Sequence, residues 1–357
     1  MLRRAEWTAA VLLTLALAGL HLLRVNHAGG LWRDEAAAAA LATLPTWGEV
    51  AGSFQHEAFP LLFPAAVRGW VGIFGGGDLA LRLFGALVGL ALLGALWCNA
   101  RSWFPGRAGS GLPLLSLIVV GTNPAVLVFG DSLRGYGLGT VLILLTCGAF
   151  GRLVVRPDRR SVVLAALLAV ASVQTLLHNA ALLLALGLGA ALAAARRKRW
   201  RSVAAVLGCG ALAALSLLPY AGPLAAARSW NVLVTFPVAP ADLLQALART
   251  LAGPLPAFLW LWLSLLALGL AAGIWSLLRK TSAEATSGQD GNAAADLTLY
   301  LILSLPLAVL TQLGFLWQLG YAPRPWYFLP LLALAGSALD LLLAPNRTSP
   351  ATSRTRP

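Results

Sequence analysis

The sequence predicts an all-α polytopic membrane protein with about ten transmembrane helices. Three observations predict it. Hydrophobic residues make up 59% of the 357 positions, charged residues only 11%, and the mean hydropathy is +0.79. Uncharged apolar runs close to the roughly 20 residues needed to cross a hydrocarbon core recur along the whole chain. The basic residues gather in the short connections between those runs, as topology signals do. This composition excludes an ordinary soluble globule and a disordered chain, and three cysteines make no disulfide framework. A net charge of +13 would suggest nucleic acid in a soluble protein. Here it marks orientation, and no nucleic-acid partner is expected.

The elements follow in order. Trp7 to Leu23 is uncharged between Glu6 and Arg24 and gives a first span over 5–23. Its basic start and Ala16-Leu17-Ala18 fit a cleavable signal, but the apolar run continues to Leu23, which favours a retained helix. The first outer loop, 24–81, is long. Within it the alanine-rich stretch from Ala36 to Ala42 predicts a short interfacial helix beginning near Asp34. Phe59 to Gly77 is apolar but interrupted by Arg68, and predicts a second helix in the interface, with Arg68 and Trp70 at headgroup level.

Spans then follow at 79–98, 112–129 and 136–154. The uncharged run from Ser161 to Ala195 would make one helix about 52 Å long, too long for a core of about 30 Å. It divides at His178-Asn179 into spans 161–177 and 180–195, which also puts the basic clusters Arg156–Arg160 and Arg196–Arg201 on one side. Spans at 202–219, 257–278, 298–316 and 327–344 complete the set. Residues 1–219 read as one membrane module and 220–344 as an outer loop with three further spans. Thr281 to Asp296 has the composition of a flexible linker, and 345–357 that of a disordered cytoplasmic tail. Cys98, Cys147 and Cys209 lie in or beside spans and read as packing residues.

With the amino terminus in the cytoplasm, only Arg24, Arg33, Arg68, Arg82, Arg134, Arg228, Arg249 and Arg324 among the basic residues fall outside. That asymmetry sets the orientation. The scarce outer acids are Asp34, Glu35, Glu49, Glu57, Asp78, Asp131 and Asp242.

Asp34-Glu35 follows the first span directly. Such a pair either caps the next helix or takes a proton from a hydroxyl or amine nucleophile. A divalent cation held by Asp34, Glu35 or Asp131 would suit the same acids. His56-Glu57 stands just before the second interfacial helix. Asp131-Ser132-Leu133-Arg134-Gly135-Tyr136 fills a short outer turn, where Arg134 is either a snorkelling partner of Asp131 or a clamp for a lipid-linked phosphate. His178 marks the next outer turn. Arg324, between Pro323 and Pro325 and before Trp326-Tyr327, is a second phosphate-clamp candidate or an interface anchor. No Walker or dinucleotide glycine pattern is present.

The order of these residues resembles the bacterial protein-mannosyltransferase-like, or aminoarabinose-transferase-like, enzymes of the GT-C glycosyltransferase class. The resemblance covers about residues 5–220. It implies a polyprenyl-phosphate-linked sugar as donor, an envelope acceptor, and Asp34 as catalytic base, with Glu35 and Asp131 beside it. It implies substrate-binding roles for His56, Glu57, Arg134, Tyr136, His178 and Arg324. His56 matches the first position of that family's His-Pro-Pro motif, with Glu57-Ala58 in place of the prolines. Asp131, Arg134 and Tyr136 fall on its Gln-Glu-Ala-Arg-x-Tyr turn, with Asp131 in place of the acid. Pro325-Trp326 separate Arg324 from Tyr327, which that family more often places side by side. The expectation is therefore an inverting glycosyltransferase facing the outside of the cytoplasmic membrane. The competing readings are a transporter or lipid flippase, which would place ionisable groups at mid-membrane and repeat its topology, and a non-catalytic relative.

Overall fold

The structure is a computed structural model, and it describes residues 2–54, 59–102, 111–227, 238–281 and 289–344. Among the described residues the chain is helical throughout, with no strand. It opens with α1 (Leu2–His27), followed by three short helices, α2 (Arg33–Ala42), α3 (Trp47–Gly52) and α4 (Leu62–Phe74). Then come α5 (Asp78–Ser102), a broken segment containing α6 (Leu114–Ser116) and α7 (Pro124–Phe129), and α8 (Gly135–Val155). The bundle continues with α9 (Arg159–Thr175), α10 (Asn179–Arg196), α11 (Trp200–Ser216) and the short α12 (Ala221–Ala227). It closes with α13 (Pro240–Leu251), α14 (Ala257–Thr281), α15 (Gln289–Leu319) and α16 (Leu329–Leu342).

Eight helices are long and apolar enough to cross a membrane, and the protein is an all-α polytopic membrane protein. The two remaining predicted spans run between the same ends of the bundle without being helices of that length. One is α9, of 17 residues, and α10 begins where the sequence places the turn, at Asn179. The other, 112–129, is broken. Leu117–Gly121 forms a π turn, and Pro124, which has no N–H to donate, restarts the chain as α7. Asn123 caps that restart, accepting the Ala125 amide at 2.9 Å. Asp340 of α16 accepts the Leu115 and Ser116 amides at 2.9 and 3.3 Å, so the freed backbone groups at the start of the segment are met by protein.

α8 is the central helix, packed against α5, α9, α10, α15 and α16. α1, α11 and α14 line the outside of the bundle with mostly exposed apolar faces. The predicted linker from Thr281 to Asp296 is shorter than its composition suggests. Helix α15 already starts at Gln289, and Asp296 is buried in ion pairs with Arg197 at 3.0 Å and Arg199 at 2.7 Å. Those tertiary partners outweigh the weak helix propensity of the Gly and Asn there. Cys147 and Cys209 are packed inside, whereas Cys98 lies on an exposed face of α5. The tail 345–357 lies outside the described residues.

The two ends of the bundle differ in kind. At one end sit Arg197, Arg199, Asp296 and Asp340. At the other sit the carboxyl end of α1, the short helices α2 and α4, and the turns before α8, α10 and α16. That second end carries those sequence-predicted site residues that are described.

Candidate active site

The segment between α1 and α5 separates its two adjacent acids. Helix α2 begins at Arg33 with Trp32 as its cap, so Asp34 and Glu35 occupy successive positions of the first turn, where acidic groups are favoured by the helix dipole. About 100° of helical rotation lies between neighbouring residues, and it turns one acid in and the other out. Glu35 is 1% exposed. It accepts the Trp32 amide at 3.2 Å and the Leu133 amide at 2.8 Å, and pairs with Arg82 of α5 at 3.0 Å. Capping, which the sequence reading gave to Asp34, belongs to Glu35. Asp34 keeps a side chain 27% exposed, and among the described residues its carboxylate meets only Arg33, its own exposed neighbour, at 3.0 Å.

The turn Asp131–Arg134 is fastened on several sides. Asp131 is buried, and its Oδ2 is held by His21 Nδ1 and Arg24 Nε of α1, both at 3.0 Å. Leu133 donates to Glu35 as above. Arg134 donates from Nη1 to the Asp34 carbonyl oxygen at 2.9 Å, and its guanidinium lies 4.4 Å from the Phe59 ring centroid. Two glycines one helical turn apart on α5 make room for this arrangement. A Cβ at Gly85 would stand 2.0 Å from the Asp131 carbonyl oxygen, and one at Gly89 would stand 2.7 Å from the His21 ring. Arg134 therefore does not pair with Asp131, as the sequence reading allowed. Asp131 faces α1, and Arg134 faces α2.

Beyond Arg134 lies an aromatic cluster. Tyr136 is buried, with its ring 5.2 Å from Phe59 and within 6.4 Å of His178, Trp326 and Tyr327. His178 is buried between Phe315 and Tyr327, at 5.3 and 5.0 Å. Burial pushes its imidazole down to about 4, so it is neutral at ordinary pH. Arg324 is exposed, 6.0 Å from the centre of the Trp326 ring, and has no carboxylate partner among the described residues. Trp326 in turn touches Trp32 at 6.0 Å, which brings the Arg324 segment back to the start of α2 and Asp34. The entrance to α4 is pinned by Tyr220, whose hydroxyl accepts the Leu61 amide at 2.9 Å and donates to Gln174 at 2.8 Å.

Asp34, Glu35, Asp131, Arg134, Tyr136, His178 and Arg324 thus gather at one end of the bundle. His56 and Glu57 lie outside the described residues. His21, Arg24, Arg82, Phe59 and Trp326 belong to the same end and were not singled out from the sequence. The signal for His21 was available, since an ionisable residue inside an apolar span calls for a partner. Among the described residues no three His, Cys, Asp or Glu side chains come close enough to hold a metal ion.

Chemically, the sequence-predicted residues that are described offer an accessible carboxylate at Asp34, a buried arginine at Arg134, an exposed one at Arg324, and a neutral imidazole set among aromatic rings. Comparison with protein-family models, curated proteins and solved structures gives no match.

Proposed function

We propose that the protein is an inverting membrane glycosyltransferase. It moves a sugar from a polyprenyl-phosphate donor to an envelope acceptor at the outer face of the cytoplasmic membrane. The single observation that carries this reading is the division of labour among the three acids. Glu35 and Asp131 are taken up by internal partners, while Asp34 keeps an accessible carboxylate and its backbone carbonyl is bound to Arg134. A proton acceptor and a cation are thereby fixed beside each other, as the reaction requires.

Asp34 takes the proton of an acceptor hydroxyl or amine as that atom attacks the anomeric carbon. The bond from that carbon to the phosphate oxygen breaks on the opposite face, which inverts the centre. The released phosphate carries the negative charge, which Arg134 and Arg324 neutralise. Tyr136 and His178 line the donor side, and the resemblance assigns His56 and Glu57 to the same task.

The transport reading gains less support. The buried carboxylates Asp131, Asp296 and Asp340 are each bound to named protein partners, and Asp340 meets the broken segment only at its start, at Leu115 and Ser116. Asp34→Asn tests the proposal. Sugar transfer from a polyprenyl-phosphate donor by the reconstituted protein falls by at least about 100-fold, a range typical of a lost general base. Membrane insertion is unchanged. Retained transfer removes Asp34 from the role of base.

A further inference from the structure

At the end of the bundle away from the candidate site, a groove runs between α1 and α5. It holds about 200 Å³ and is lined by Trp7, Val11, Thr14 and Leu15 of α1 and by Trp97 and Arg101 of α5. The α1 residues recur at the spacing that puts them on one stripe, and Trp97 and Arg101 are one turn apart on α5. The protein itself sets these walls in place. Trp97 Nε1 donates to the Thr14 hydroxyl at 2.9 Å, and the Trp7 and Trp97 rings lie 5.5 Å apart. Trp7 and Leu15 remain exposed on the outer side of the bundle.

Arg101 and Arg4 stand at one end of this groove. Arg101 is exposed, with its guanidinium 5.7 Å from the centre of the Trp97 ring, and among the described residues it pairs with no carboxylate. Arg4 is also exposed and lies on the same stripe as Trp7, one turn nearer the amino end. Trp7 meets Trp97 whereas His21 lies against Gly89, so α1 and α5 run antiparallel and the two arginines fall at the same end.

On a surface that faces acyl chains, unfilled space forfeits dispersion contacts, so a gap of this size takes up lipid. An apolar groove with indoles at its rim and guanidinium groups at one end suits a particular lipid chemistry. Arginine offers paired N–H donors to a phosphate, and basic pockets between spans hold lipid headgroups. The stripe from Trp7 to Leu15 runs about 12 Å, most of the about 15 Å that one leaflet contributes to the hydrocarbon core.

We infer that the groove binds one phospholipid of the bilayer, its phosphate on Arg101 and Arg4 and an acyl chain against Trp7, Val11, Leu15 and Trp97. The bilayer is the source because the groove opens sideways, at the opposite end of the bundle from Asp34 and Arg134. The lipid fills the joint between α5 and the helix that carries His21 and Arg24 to Asp131.

Native mass spectrometry of the full-length protein tests this, after delipidation in detergent and titration with dioleoylphosphatidylglycerol. The wild type holds one such molecule more tightly than dioleoylglycerol, which lacks the phosphate. Arg101→Gln weakens the phospholipid about ten- to a hundredfold, the range of hydrogen bonds to a charged group, and leaves dioleoylglycerol unchanged. Val11→Trp fills the groove and weakens both. Arg160→Gln removes an exposed cation at the same end of the bundle, on α9, and changes neither. No preference for the phospholipid in the wild type, equal loss in Arg101→Gln and Arg160→Gln, or no loss in Val11→Trp overturns the inference. Undecaprenyl phosphate that displaces the phospholipid at equal concentration overturns the bilayer source. A wild-type dimer that Val11→Trp dissociates gives the groove to a second copy and overturns the lipid assignment.

Discussion

Replacing Glu35 by Gln separates a structural acid from a chemical one. The change keeps the shape of the side chain and removes its charge. Every partner of Glu35 is a donor: the amides of Trp32 and Leu133 and Nη1 of Arg82. A glutamine offers one acceptor oxygen and one NH2 group, so no orientation of the amide satisfies them all, and at least one buried donor faces another. Arg82 lies 3.0 Å from both carboxylate oxygens, so in either orientation it faces the amide NH2 as well as the oxygen, loses its counter-charge, and keeps the Gly30 carbonyl at 2.6 Å with a side chain 10% exposed. Breaking a buried ion pair from one side costs about 3–5 kcal/mol, so Glu35→Gln loses stability in that range. The matching change Asp34→Asn touches a pair whose Arg33 side chain is 91% exposed, and costs about 0–1 kcal/mol. Reversible unfolding of both variants in lipid bicelles by steric trapping measures the contrast, and transfer assays on the folded fractions complete it. If Glu35→Gln is as stable as the wild type to within about 1 kcal/mol and yet loses transfer, the roles given to the two acids are reversed.

The glycine notch and the buried histidine give further tests. Gly85→Ala drives a Cβ into the backbone oxygen of Asp131, 2.0 Å away, and is expected to cost about 1–3 kcal/mol and weaken donor binding by shifting Arg134. Gly94→Ala, on an open face of the same helix, is the control and is neutral or slightly stabilising in the same unfolding measurement. His178 has a folded value of about 4, below the ordinary value near 6.5. The unfolded chain therefore binds the proton first on acidification. Stability is full above about pH 6.5 and falls by about 3 kcal/mol as pH drops to about 4, a dependence that His178→Phe removes in parallel pH titrations of stability.

The fold was largely legible because it is written in local runs. Uncharged stretches gave the long helices, the alanines after Glu35 gave α2, and the one polar pair in the Ser161–Ala195 run gave the turn before α10. The break inside 112–129 was less visible. Pro124 and Asn123 signal it, but the carboxylate that makes it tolerable, Asp340, lies more than 200 residues away. At the site, residue types were legible and their pairings were not. Asp34 and Glu35 have nearly the same chemistry in sequence. Arg82 and Leu133, 47 and 98 residues further on, decide which of them turns inward. The partner of Asp131 was hidden for the same reason, since His21 sits 110 residues earlier in what reads as a plain apolar span.

The turn from Asp131 to Arg134 has a further consequence for how a ligand meets the site. Asp131 is tied to α1, and Leu133 and Arg134 are tied to α2 at Glu35 and Asp34. A turn held in this way gives up its conformational entropy once, during folding, and not again at each encounter. The arginine is a receptor of fixed geometry. It favours ligands whose charged group arrives at the right distance from Asp34 and discriminates against those that would need the turn to follow them.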